Sequence, residues 1–108
     1  MFNENEKENI KRIRNYYGLP NQILKTCEEL SELSTALLHY YNKNGGEIAK
    51  LTVVEEITDV YVMLEQIKDF FVDDATFHSM VEYKTNRELK RIKEYETCKT
   101  ENMLQECR

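Results

Sequence analysis

The chain is expected to be all-α, a compact bundle of about four helices around a central antiparallel helix pair. Three observations predict this. Apolar residues recur with the helical period from end to end, and no segment alternates as a strand would. The helix breakers are few and grouped: Gly18 with Pro20, Asn44-Gly45-Gly46, and Asp73-Asp74. The central Gly-Gly break is so short that the helices on either side of it must return antiparallel.

The breaks define the elements. The first helix is expected over roughly Asn5 to Tyr17, and the second from Asn21, just past Pro20, to about Lys43. The second carries Ile23, Cys27, Leu30, Ser34, Leu37, Leu38 and Tyr41 on one stripe, which reads as the seam of the bundle, with Cys27 in the core. The third runs from Glu47 or Leu51 to Phe71, with a seam of Val53, Val60, Met63, Ile67 and Phe70. An Asp of the third break caps the fourth helix, expected from about Ala75 to Lys99 with frayed residues beyond. Tyr16, Tyr17, Tyr40, Tyr41 and Tyr61 read as core aromatics rather than a base-stacking platform.

With 108 residues the sequence fits a single domain, 1–108, whose motif-bearing part is about 17–95. So small a core favours self-association. The net charge of −5 disfavours binding to a nucleic acid polymer. There is no apolar run long enough to span a bilayer and no secretory pattern at the polar start, so no membrane contact and a cytoplasmic location are expected. Cys27, Cys98 and Cys107 are odd in number and lack metal-ligand spacing; the last two sit in a polar tail and read as incidental.

Two acidic segments carry the chemistry. CEELSEL holds Glu29 and Glu32, and EEITDV holds Glu56 and Asp59; these are the only two acid pairs in the chain spaced i, i+3, the spacing that puts both carboxylates on one helix face. They are also symmetric about the central turn. Glu32 and Glu56 each lie twelve residues from Asn44, and Glu29 and Asp59 each lie fifteen. An antiparallel hairpin centred there brings four carboxylates to one height. Glu56 falls within the apolar stripe of its helix, where a carboxylate is costly unless a positive charge meets it. A divalent cation such as Mg²⁺ suits that position. Glu29 and Glu32 fit less neatly, because they share a face with Gln22, Lys25 and Ala36, away from the leucine stripe. For that face, metal binding and simple solvation both stand; the internal place of Glu56 favours metal.

Glu28-Glu29-Leu-Ser-Glu32, a helical hairpin and then Glu56-Ile-Thr-Asp59 resemble the signature of the MazG-like all-α nucleoside triphosphate pyrophosphatases, over about Tyr17 to Arg91. Gln22 ahead of the first motif, Lys25 between them, and the apolar run after Asp59 agree with it. The resemblance implies that Glu29, Glu32, Glu56 and Asp59 hold Mg²⁺, for which Mn²⁺ can substitute. It implies further that Glu29 or Glu32 activates water, so that a nucleoside triphosphate is cut to the monophosphate and pyrophosphate. Glu28 and Glu55 are left as spare acids.

The fourth helix adds a basic segment, EYKTNRELKRIK, in which Lys84, Arg87 and Arg91 share one side. By the same resemblance Lys84 and Arg87, with Asn86 and Arg91, hold the triphosphate, as charge-assisted hydrogen bonds allow; Gln22 and Lys25 complete the substrate contacts. Lys90 and Lys93 read as solvated. The resemblance also implies a homodimer or homotetramer. The competing readings are a non-catalytic helical interaction module and a nucleotide sensor of the same fold. A di-iron carboxylate bundle is disfavoured, because neither His39 nor His78 lies three residues after a Glu.

Overall fold

The computed structural model describes residues 1–106, and over them the chain is helical, with no strand: α1 Glu4–Tyr17, α2 Leu19–Asn42, α3 Glu47–Phe71 and α4 Asp74–Glu106. It divides into two compact units, Met1–Phe71 and Val72–Arg108.

In the first unit, α1 opens with a reciprocal capping box. Asn3 Oδ1 accepts from Glu6 N–H, and Glu6 Oε1 accepts from Asn3 N–H, both at 2.8 Å. Gly18 ends α1 at φ 85°, a left-handed conformation that glycine adopts without strain, and its N–H donates to the Arg14 carbonyl at 2.8 Å. Helix α2 starts at Leu19, ahead of Pro20 rather than after it, because proline in a first turn forfeits no helical hydrogen bond. The turn into α3 has positive φ at Asn44 (56°), Gly45 (86°) and Gly46 (118°). A Cβ on Gly45 would lie 3.2 Å from the Tyr40 hydroxyl, so a larger residue there would be strained by φ and would also need the exposed Tyr40 ring to give by a few tenths of an ångström.

The main packing of this unit is α2 against α3, and α1 lies against both. The face that α2 turns inward is not the leucine stripe. Its buried residues are Gln22, Thr26, Glu29 and Ala36, whereas Leu30, Leu37, Leu38 and Tyr41 are exposed, as is Cys27. The expected seam is therefore corrected by roughly a third of a turn of the helix, at about 100° per residue. On this face the Gln22 amide finds a hydrogen-bond partner in Gln66 of α3, while the bulkier stripe stays exposed. On α3, Val60 and Met63 are buried and Val53 and Ile67 half-buried as expected, but Phe70 is exposed. The five tyrosines expected in the core are exposed too. Arg14 joins α1 to the end of α3, donating to the Gln66 carbonyl at 3.4 Å and lying 3.9 Å from Asp69.

The second unit is α4. Asp73 caps it as expected, its Oδ1 accepting from Thr76 N–H at 2.7 Å, and this bond holds the Asp73 carboxyl below its ordinary value. The helix runs on to Glu106, past the expected end at Lys99, since nothing between them breaks it. Every residue of α4 whose burial is described is exposed, Cys98 among them; Cys107 lies outside the described residues.

Candidate metal centre

The hairpin assembles the acids at one level. Glu29 and Glu32 come from consecutive turns of α2 and Glu56 from α3, and each offers a carboxylate oxygen within 4.8 Å of the other two. Glu29 is buried, Glu56 half-buried and Glu32 exposed, so the group opens from the helix interface toward solvent. Asp59 is exposed and stands outside this close trio, but its charge still reaches Glu56.

Two oxygens set the site apart from an ordinary acidic surface. Glu29 Oε2 and Glu56 Oε2 are both buried and both lack a hydrogen-bond partner, a costly state for a carboxylate. The Glu56 carboxyl is pushed above its ordinary value, first by loss of hydration and then by the charges of Glu32, Asp59 and Glu29. Among the described residues, Lys25 is the cation paired with this group. Its Nζ lies 3.3 Å from Glu29 Oε1 and 3.4 Å from Glu28, and those bonds, the one to Glu29 foremost, hold the ammonium above its ordinary value. Lys25 thus occupies one oxygen of Glu29 and leaves the other bare. A hard divalent cation fits such a donor set: oxygen ligands only, one open side for water, and two buried oxygens in need of positive charge.

The other expected site residues fall into two groups. Gln22 is buried two turns from Glu29 on the inward face of α2, and its Nε2 donates to Gln66 Oε1 at 2.6 Å, so its amide nitrogen is engaged within the protein. Lys84, Asn86, Arg87 and Arg91 are exposed on α4, in the second unit. Arg87 lies over the Tyr83 ring, 5.5 Å from its centroid, and Arg91 pairs with Glu88 at 3.5 Å. The sequence reading missed Gln66, although one signal was present: Gln22 and Gln66 are each 22 residues from Asn44, the same symmetry that marks the acids.

No protein family, curated protein or solved structure matches the chain.

Proposed function

We propose that the protein is a Mg²⁺-dependent nucleoside triphosphate pyrophosphohydrolase of the MazG-like kind, with Glu29, Glu32, Glu56 and Asp59 as its metal-holding acids. The observation that carries this reading is the pair of buried, unpartnered carboxylate oxygens on Glu29 and Glu56 inside a cluster of three acids. The order of the acids along the chain, ExxE then ExxD across a helical hairpin, supports phosphate chemistry through the resemblance already described.

A Mg²⁺ held by Glu29, Glu32, Glu56 and Asp59 would supply positive charge for the phosphate oxygens and would make a water at the site more acidic. The protein's own contribution divides among the acids. Glu29 and Glu56, held in the helix interface, fix the site in place with little room to move. Glu32, exposed at the rim, is the acid proposed to accept the proton of the attacking water, with Glu29 as the other candidate for that role. Lys25 orients Glu29 through its ion pair. Lys84, Asn86, Arg87 and Arg91 are proposed as triphosphate-binding groups on the strength of the resemblance alone.

The exposed apolar stripe of α2 continues on α3 as Val54, Ile57, Tyr61 and Leu64. At about 100° per residue, helical wheels of the antiparallel pair put both stripes on the same side of the hairpin, away from Glu32 and Asp59. The buried hydrophobic residues among those described are only Ile10, Ala36, Val60 and Met63. A core that small with an open apolar face two helices wide supports a homodimer or homotetramer formed through this face. The same face is the one observation in favour of a non-catalytic helical interaction module. No described helix is long and apolar enough to cross a membrane.

The deciding experiment measures products from a panel of NTPs and dNTPs with Mg²⁺, for the wild type and Glu56→Ala. Monophosphate with pyrophosphate, lost in the variant, is the expected result. A folded wild type that turns over no nucleotide, and whose melting temperature ignores Mg²⁺, sinks the enzyme reading and leaves the interaction module.

A further inference from the structure

We infer that the Gln22–Gln66 pair is a register lock: a positioning device that fixes how far α2 is slid along α3 and thereby brings the acids level. Gln66 is the most completely buried side chain among those described, at 1 % exposure, and Gln22 beside it is buried at 6 %. Two buried amides in a hairpin with so few buried apolar side chains need an explanation, because burying an amide is unfavourable unless it is hydrogen-bonded.

The positions supply one. Gln22 and Gln66 are equidistant from Asn44, as are Glu29 and Asp59, and Glu32 and Glu56. All three pairs therefore belong to a single antiparallel register, and the glutamine pair lies two turns from the Glu29 level. The 2.6 Å bond from Gln22 Nε2 to Gln66 Oε1 exists only in that register. The Gln66 Nε2 reaches only a thioether, Met63 Sδ at 3.5 Å, which is a weak acceptor. The Gln22 backbone is held in turn, its carbonyl accepting from Thr26 Oγ1 at 2.6 Å.

The remaining contacts do not discriminate in this way. Apolar packing is non-directional, so a slip of one helical turn, about 5 Å, still lays apolar residues on apolar residues. The acids oppose the native register when no cation is present, because it gathers like charges. Beyond the Asn44–Gly46 turn that joins the two helices, the amide pair favours it, since a slip leaves both amides buried and unpaired. A single buried polar pair is a well-attested way to set helix register at some cost in stability.

The test reads register directly. In a chain carrying Cys27→Ser, Cys98→Ser and Cys107→Ser, spin labels are placed at Asn21→Cys and Lys50→Cys, with unlabelled chain added so that only distances within one chain are read. The labels are about 25 Å apart along the helix axes, so a one-turn slip moves them by about 5 Å. The lock predicts one narrow distance in the otherwise native chain. It predicts a shifted or split distribution in Gln22→Leu/Gln66→Leu, with helicity and melting temperature kept and Mn²⁺ affinity lowered at least tenfold. Gln66→Glu, which keeps an acceptor for Gln22, should restore the single distance. Should the leucine pair fail to fold, Gln22→Met/Gln66→Met carries the same test with a more adaptable side chain. An unchanged distance in a folded double variant overturns the inference. The link to the acids rests on the proposed metal site, but the distance does not. A wild type that binds no Mn²⁺ while the double variant still slips removes the metal reading and upholds the lock.

Discussion

Glu29 and Glu56 meet across the α2–α3 hairpin, and each buries one carboxylate oxygen that no donor satisfies. Lys25 reaches the other oxygen of Glu29, whereas among the described residues no cation pairs with Glu56, and its ionisation is opposed first by burial and then by the surrounding acids. Positive charge is what this arrangement lacks, and most of the expected behaviour of the protein follows from that.

Divalent cations should stabilise the fold. With ion at 100 times its dissociation constant, binding to the native state alone contributes about 2.7 kcal/mol. A rise in melting temperature with Mg²⁺ or Mn²⁺, absent with Na⁺ at equal ionic strength, is expected by calorimetry. Glu56→Gln should melt above wild type in EDTA, because it removes the opposed charge, and should lose the Mg²⁺ response.

The same charge sets a pH dependence. The carboxyl of Glu56 is raised in the folded state, so its contribution is fully present below the ordinary carboxylate value and is lost as pH rises through the raised one. Asp73 behaves oppositely: lowered by Thr76, it contributes above its ordinary value and loses that contribution as pH falls through the lowered one. Melting temperatures in EDTA should therefore fall from mildly acidic to neutral pH in the wild type, and this slope should flatten in Glu56→Gln. In Asp73→Ala the change should come at the strongly acidic end instead.

Lys25→Ala separates the two oxygens of Glu29. Without the ammonium at 3.3 Å, the ion-free protein should melt a few degrees lower, and the stabilisation gained on adding Mn²⁺ should grow. An unchanged Mn²⁺ increment would mean that Lys25 and the cation do not share Glu29.

The basic side chains of α4 should act on substrate and not on metal. Arg87→Ala and Lys84→Ala are expected to raise KM about 10- to 100-fold, the worth of one charge-assisted hydrogen bond, while leaving the Mn²⁺ thermal shift at the wild-type value. Loss of that shift would place these residues in the metal site itself.

The apolar face gives a prediction about assembly. Leu30→Glu and Leu37→Glu put charge on exposed positions of α2 that the hairpin itself does not use. Sedimentation velocity should show the wild type as a dimer or tetramer and the double variant as a folded monomer. A monomeric wild type would transfer the face to another partner.

The helices and the level of the acids could be read from the residues because both depend on local punctuation. Gly18, the Asn44-Gly45-Gly46 turn and Asp73 each do by backbone chemistry what their residue types suggest, and the turn fixes which residues across it stand level. The inward face of α2 could not be read in this way. Its apolar arc is broad, and hydrophobicity alone favours the Leu30–Leu37 half. The hairpin instead uses the half bearing Gln22, Thr26 and Ala36, where Gln22 depends on an amide partner in α3. Gln66 stayed hidden although it lies as far from Asn44 as Gln22 does, because a glutamine on its own does not show whether it is buried. The length of α4 was underestimated because its polar tail lacks a stop signal, and polarity does not end a helix.

The tight turn at Asn44–Gly46 also governs the order in which the molecule forms. Contacts across a short turn have low sequence separation and cost little loop entropy, so the α2–α3 hairpin can close early in folding, independently of α1. Closing it gathers the acids before the rest of the chain has packed. Their mutual repulsion is then felt on the way up the folding barrier, and a cation that relieves it should speed folding more than it slows unfolding.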